Sequence, residues 1–220
     1  MKFDLHIHTI YSPDGRNRVQ DVIDILRSKG FAGAAITDHN SPEGGREALE
    51  LDPEGFIVIP GIEVSSDSGH ILALNVTEPI ERGMSVIDTI DAIHAKGGIA
   101  IAAHPYRYWS GLGEENVIGR PFDAVEVLNA RSNHVSNDKA VDLARILKKP
   151  VTGGSDSHEN ATLGAGYTEV PDGCDAADKV IKAIMEGRSG TDGSSRTVGH
   201  TLQYVSKSVS QWVGRGMKRM

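Results

Sequence analysis

Seven short apolar runs, rich in β-branched residues and separated by polar or helix-like stretches, set the frame for this chain. Read as strands, they span residues 3–7, 33–37, 56–60, 70–76, 98–103, 124–128 and 151–154. Between most of them, residues 19–29, 45–51, 85–96, 137–148 and 176–186 repeat apolar side chains at three- and four-residue intervals. Lys29-Gly30, Lys96-Gly97 and Lys149-Pro150 supply stop signals. Strands alternating with helices predict an α/β architecture with mostly parallel strands, and this pattern fits a closed barrel or an open doubly wound sheet equally well.

The histidines decide between the two. Six of the nine fall in short clusters with carboxylates near the ends of apolar runs: His6-Ile7-His8 with Asp14, Asp38-His39, Glu63 with His70, His104, and Asp156-Ser157-His158. Residues two apart in a strand point to the same face, so His6 with His8 and Asp156 with His158 can each grip one ion. Imidazole and carboxylate together suit Zn, Mn, Fe or Co, and the absence of cysteine from the set favours a catalytic over a structural site. Ligands at the carboxyl ends of the first, second, third, fifth and seventh strands converge on one point only if the sheet closes, or nearly closes, into a ring.

At 220 residues, with 39% apolar residues, the chain suits one substantial domain, and no apolar stretch is long enough to cross a bilayer. Met1 leads directly into a strand and then the first ligand pair, leaving no room for a signal peptide, so a cytoplasmic protein is expected. The lone Cys174 excludes an internal disulfide framework and reads as an incidental thiol in a turn. A formal net charge of −7 argues against broad binding to a nucleic-acid backbone, while a metal cluster would supply local positive charge for a small anion. Residues 1–190 read as the barrel and 191–220 as a basic helical tail, packed on the barrel or docking a partner. In that tail Leu202, Val205, Val209, Trp212, Val213 and Met217 recur at helical intervals beside Arg196, Lys207, Arg215, Lys218 and Arg219. Gly187 to Ser195 reads as the linker.

Taken in order, Asp4-Leu5-His6-Ile7-His8-Thr9 with Ser12-Pro13-Asp14-Gly15, Ile36-Thr37-Asp38-His39, Pro60-Gly61-Ile62-Glu63, Ala103-His104-Pro105 and Gly154-Ser155-Asp156-Ser157-His158 resemble the successive motifs of the PHP (polymerase and histidinol phosphatase) family over residues 1–190. The resemblance implies a distorted (β/α)7 TIM-like barrel with a metal cluster at the carboxyl face of the strands. It implies two or three divalent ions, Zn, Mn or Fe. A first would sit on His6, His8, Glu63 and Asp156, a second on Glu63, His70 and His104, and a third on Asp14, His39 and His158. Some members carry histidine where this chain has Asp14. The implied reaction is hydrolysis of a phosphomonoester or phosphodiester by a metal-bridging hydroxide, with Glu63, Asp156 and His158 as candidate catalytic residues. The substrate would be a small phosphometabolite, a nucleotide or a short oligonucleotide.

Arg107 and Arg131 follow strand ends and are the candidate contacts to phosphate oxygens. Asp38 or Asp4 could orient a ligand imidazole, and Asn129 could line the mouth. His94, in a periodic helix, reads as a surface or packing residue, His134 as a loop residue near the site, and His200 belongs to the tail. Two other readings stay open: an amidohydrolase-like C–N hydrolase, which fits the Glu63 and Asp156-x-His158 pattern poorly, and a non-catalytic, metal-stabilised accessory module.

Overall fold

Along each strand every second side chain faces the same way, and those alternating residues fill the interior of a sheet curled on itself. The computed structural model describes residues 1–195. Its strands are β1 (Lys2–Asp4), β2 (Gly33–Ile36), β3 (Ile57–Ser65), β4 (His70–Leu74), β5 (Ile99–Ala102), β6 (Ala124–Asn129), β7 (Val151–Gly154), β8 (Gly166–Glu169) and β9 (Gly190–Gly193). They form a single sheet in the order β7-β6-β5-β4-β3-β2-β1-β8-β9. The two ends of that sheet meet: Gly153 N donates to Thr168 Oγ1 at 2.8 Å, and Ser189 Oγ donates to the Val151 carbonyl at 2.7 Å. Nearer the mouth, Asp156 N donates to the His6 carbonyl at 2.7 Å and His8 N to that of Ser157 at 2.9 Å. The result is a nearly closed barrel in a mixed α/β fold.

Phe3, Leu5, Ala35, Ile59, Leu72, Leu74, Ile101 and Ala124 form the lower interior, joined by Val180, Ala183 and Ile184 of α5 (Ala177–Met185) and by Cys174. Helices α1 (Val19–Ser28), α2 (Glu43–Glu50), α3 (Val86–Ala95) and α4 (His134–Leu147) complete the expected set. In α1 the buried residues Val19, Val22, Ile23 and Leu26 follow the helical period. Ser85 caps α3 by accepting from Asp88 N at 3.2 Å. Asn133 caps α4 by accepting from Ser136 N at 2.9 Å, which starts that helix three residues before the expected Asn137.

All seven expected strands are present, with four differences. First, β4 runs antiparallel to both β3 and β5, and β8 antiparallel to β1, so the sheet is mixed. Second, β3 continues past Pro60 to Ser65: residues up to Pro60 pair with β2 and residues from Gly61 pair with β4, so the proline, which lacks an N–H, sits where the strand changes partner. Third, β8 and β9 were not foreseen, because both are short and glycine-bearing, and β9 lies inside the stretch read as a linker. Fourth, β1 and β7 end before the ligand pairs. His6 and His8 flank an isolated bridge between Ile7 and Ser157, so their shared orientation comes from that bridge rather than from strand alternation. The tail expected to be helical lies, from residue 196 onward, outside the described residues. No helix among the described residues is long and apolar enough to cross a membrane.

Candidate metal centre

The inward face of the barrel changes character from bottom to top. On β3 the alternation that points Ile59 into the core also points Glu63 inward; on β4 the set Leu72 and Leu74 includes His70; on β6 Ala124 is followed two residues later by Glu126. Because β4 runs antiparallel, its first residue, His70, lies at the same end as the carboxyl termini of the parallel strands. The two edges meet closely at Gly154, where a Cβ would stand 2.4 Å from that of His6; only glycine lets β7 carry Asp156 to the first motif.

Glu63 is the hub, buried with five imidazoles around its carboxylate. Its Oε1 lies 2.8 Å from His70 Nδ1, 2.9 Å from His104 Nε2 and 3.5 Å from His6 Nε2. Its Oε2 lies 2.9 Å from His39 Nδ1 and 3.2 Å from His8 Nε2. Asp156 Oδ1 is 3.3 Å from His8 Nε2 and 3.5 Å from His158 Nδ1. Asp14 Oδ2 is 3.2 Å from His158 Nε2, and Asp14 Oδ1 is 3.8 Å from His39 Nε2. All nine expected ligand residues therefore converge, and their donor atoms form overlapping groups: His6, His8, Glu63; His6, His104, Asp156; His39, Glu63, His70; and His8, His39, His158. The overlap makes one continuous cluster, in which His39 touches both Glu63 and the Asp14–His158 group.

Two of the candidate ligand imidazoles have their outer nitrogens committed. His6 Nδ1 lies 2.9 Å from Glu126 Oε1, an acceptor, which leaves Nε2 for the cluster. Ser12 Oγ donates to Asp38 Oδ1 at 2.7 Å and accepts from His39 N at 2.9 Å, so at 3.0 Å it also accepts from His8 Nδ1. The Nε2 atoms of His6 and His8 then face one another at 3.2 Å, with Glu63 and Asp156 beside them. With their Nε2 protons released, two imidazole lone pairs and two carboxylates turned inward would be a donor set that fits a divalent cation. Two buried atoms point the same way: Asp14 Oδ1 has no hydrogen-bond partner, and His39 Nδ1, though 2.9 Å from Glu63 Oε2, is not aligned to make a hydrogen bond.

Charge in the cluster is distributed accordingly. Burial works against a charged His8, but hydrogen bonds to Asp156 and Glu63 overcome it and push its pKa up to about 9. Burial likewise opposes charge on His6, where Glu126, Asp156 and Glu63 raise its pKa well above the ordinary value. Burial would protonate Glu63, yet His70, His39 and His6 hold it well below the carboxylate range. Burial would do the same to Asp156, which Arg131 and Arg107 keep ionised. His158 is driven down to about 3, by burial first and then by His8 and Arg131. Two candidate ligands also sit on unusual backbone, with φ of +27° at His104 and +51° at Asp156, the kind of local strain that packed sites hold in place.

The sequence missed Glu126. Buried on β6, it accepts from His104 N at 2.8 Å through Oε2 as well as binding His6, so one carboxylate aligns two candidate ligands. The signal was an acid on the inward register of the run Ala124-Val125-Glu126-Val127. Ser12 stands out in the sequence only as part of Ser12-Pro13-Asp14-Gly15. Asp38 does not touch the His39 ring; it accepts from Thr9 N at 2.6 Å, Thr9 Oγ1 at 2.7 Å and Ser12, and acts on His8 through that serine. Asp4 binds backbone instead, accepting from Ser155 N at 2.8 Å and Gly164 N at 2.9 Å, and burial raises its pKa to about 6. Asn129 Nδ2 donates to Asp156 Oδ2 and to Glu126 Oε2, both at 3.2 Å. Both expected arginines reach Asp156, Arg131 at 3.0 Å and Arg107 through a short contact to Oδ2, and Arg131 also packs on His158. His94 pairs with Asp123 on the surface at 2.7 Å, His134 opens α4 outside the cluster, and His200 lies outside the described residues.

The chain belongs to the PHP domain family: the family profile matches residues 4–133, and that of the PHP-associated segment matches residues 134–189. Uncharacterized protein MJ1587 of Methanocaldococcus jannaschii is 36% identical over an alignment of 162 positions that covers 68% of this chain and 93% of that protein. Among solved structures, a two-domain protein from Bacteroides vulgatus containing a predicted PHP-like metal-dependent phosphoesterase superposes with a TM-score of 0.71 at 18% identity, over 88% of this chain and 65% of that one. The lesion-specific endonuclease PfuEndoQ of Pyrococcus furiosus gives 0.65 at 19% identity, over 84% of this chain and 56% of that one. Endonuclease Q is also known in complex with a 27-mer duplex substrate carrying an abasic lesion at its active site. At these identities the structural likeness establishes the fold. Family and cluster together support a metal-dependent hydrolase that uses divalent ions.

Proposed function

We propose that the chain is a metal-dependent phosphoesterase acting on a phosphomonoester or phosphodiester of a small metabolite, a nucleotide or a short oligonucleotide. The observation that carries this reading is the facing pair of His6 and His8 Nε2 atoms, 3.2 Å apart, with their Nδ1 protons committed outward and Glu63 and Asp156 alongside. His6, His8, Glu63 and Asp156 would hold a first ion, His70, His104 and Glu63 a second, and Asp14, His39 and His158 a third. Bound divalent ions lower the pKa of water from about 15.7 toward about 7 and neutralise charge on phosphoryl oxygens.

The chain's own residues position the reaction. Glu63 ties the subsites together through both carboxylate oxygens, and Glu126 and Ser12 fix the ring planes of His6 and His8. Asp156 holds Arg107 and Arg131 at the mouth, where their guanidinium groups suit the non-bridging oxygens of a tetrahedral phosphoryl group. His158, held neutral by burial and its cationic neighbours, lies with Nε2 3.2 Å from Asp14 Oδ2 and beside the Arg131 guanidinium. Endonuclease Q's duplex substrate makes nucleic acid one substrate class worth testing beside small phosphoesters. A panel of phosphorylated metabolites, nucleotides and short DNA or RNA, assayed for phosphate or fragment release with Mn or Zn, should reveal turnover that His8→Ala and Asp156→Asn abolish. A folded, metal-loaded protein inert toward the whole panel, or one that releases ammonia from C–N substrates instead, would overturn the reading.

A further inference from the structure

The loop after β5 divides its aromatic and charged residues in an unusual way. Arg107 turns inward to Asp156, with its side chain 16% exposed, yet the next two residues, Tyr108 and Trp109, are 86% and 79% exposed. Two adjacent aromatic side chains left this open form a contiguous apolar patch of the kind that a ligand or partner covers. The two rings meet edge to face, with centroids 4.7 Å apart and planes at 90°, which leaves ring faces open for a third planar group.

The pair is not on a loose loop. Arg107 N donates to the His104 carbonyl, Gly111 N to that of Arg107 and Gly113 N to that of Pro105, each at 2.9 Å. A Cβ on Gly111 would fall 2.5 Å from the Pro105 oxygen and 2.6 Å from Arg107 N, so the turn closes only around glycine. Ser110, next to Trp109, accepts from His70 N at 3.1 Å, which fastens the loop to the backbone of a candidate ligand. Trp109 therefore stands two residues, at most about 8 Å of chain, from an arginine that reaches the centre.

That juxtaposition selects the occupant. A phosphoryl group held at the centre, within reach of Arg107, would leave its attached group free to extend toward this loop, and a flat, π-rich group stacks on exposed aromatic rings regardless of its hydrogen-bonding pattern. The net charge of −7 works against a long phosphate backbone, so a short ligand is favoured. We propose that Tyr108 and Trp109 form a stacking platform for the base of a nucleotide whose phosphoryl group sits at the metal centre; the inference rests on the phosphoesterase reading.

Two measurements test it separately from that reading. In a Trp212→Phe background Trp109 is the sole tryptophan, and titrating the manganese-loaded protein with adenosine monophosphate should quench its fluorescence, whereas ribose 5-phosphate should not. Kinetically, Trp109→Ala should lower the ratio of kcat/KM for adenosine monophosphate to that for ribose 5-phosphate about tenfold, and Trp109→Phe should restore most of it. Absence of quenching, or an unchanged ratio in an active Trp109→Ala protein, overturns the platform and leaves phosphoester hydrolysis standing. A Trp109→Ala variant with an unchanged ratio but an altered oligomeric mass would assign the aromatic pair to a protein contact and likewise overturn it. If no phosphoester is hydrolysed at all, the phosphoesterase reading fails, and the fluorescence titration alone decides whether a base binds here.

Discussion

Glu126 makes the case that the geometry of the candidate ligands is set from outside the cluster. Its two oxygens accept from the His6 ring and from His104 N, so Glu126→Gln keeps one acceptor but turns an amide N–H toward a backbone N–H. The expected result is a folded protein that binds Mn or Zn about 10–100-fold more weakly, measured by competition with a chelator; unchanged affinity would remove Glu126 from the centre. The conspicuous pairs His6-x-His8 and Asp156-x-His158 were legible because histidines beside acids at the ends of apolar runs have few other uses. Glu126 and Ser12 were not, because their importance lies in which nitrogen they engage, and no spacing rule encodes that. Asp38 shows the same limit: its position suggests that it orients an imidazole without saying which, and it reaches His8 through Ser12.

At the scale of elements, the approach of β7 to β1 is the most exacting contact. Gly154→Ala would place a methyl carbon 2.4 Å from His6 Cβ and 2.7 Å from its amide nitrogen, both fixed by pairing. The expected cost is about 1–3 kcal/mol of stability together with weaker metal binding, read from denaturant midpoints and chelator competition on the same sample. Helices were legible to within three residues at either end, because an amphipathic stripe such as Val19, Val22, Ile23 and Leu26 has one period and clear stops. Strands were less so. Pro60 looked like an end and is a change of partner within β3, while β8 and β9 contribute hydrogen bonds to the closing edge with little apolar signal of their own. His70, expected as a ligand although its Ser68-Gly69-His70 setting also suits the start of a hairpin, opens β4 while meeting Glu63 at 2.8 Å.

For the whole molecule, the cluster links metal, proton and fold. Without a cation, protons on His6 and His8 supply its charge, and a histidine whose folded pKa lies above its unfolded value stabilises the fold below about pH 6.5 and loses that contribution as pH rises toward about 9. On the acid side the sign reverses. His158, lowered to about 3, and the depressed carboxylates Glu63 and Asp156 contribute stability that disappears as pH falls. Chelator-treated protein should therefore show a maximum Tm near pH 6.5 that declines toward pH 9. Excess Mn or Zn should raise Tm most at the alkaline end, where the ions no longer compete with those protons. A Tm that climbs between pH 6.5 and 9 in chelator would contradict this distribution of charge.

The account stands on divalent ions gathering where nine side chains from separate strand ends converge, and diffraction at the absorption edge of the bound metal tests that directly. Crystals of the manganese- or zinc-loaded protein should give anomalous peaks about 2.0–2.2 Å from His6 Nε2, His8 Nε2 and the carboxylate oxygens of Glu63 and Asp156. Ordered crystals grown in excess metal that show these side chains with no anomalous signal between them, or with the metal bound elsewhere on the barrel, would contradict it.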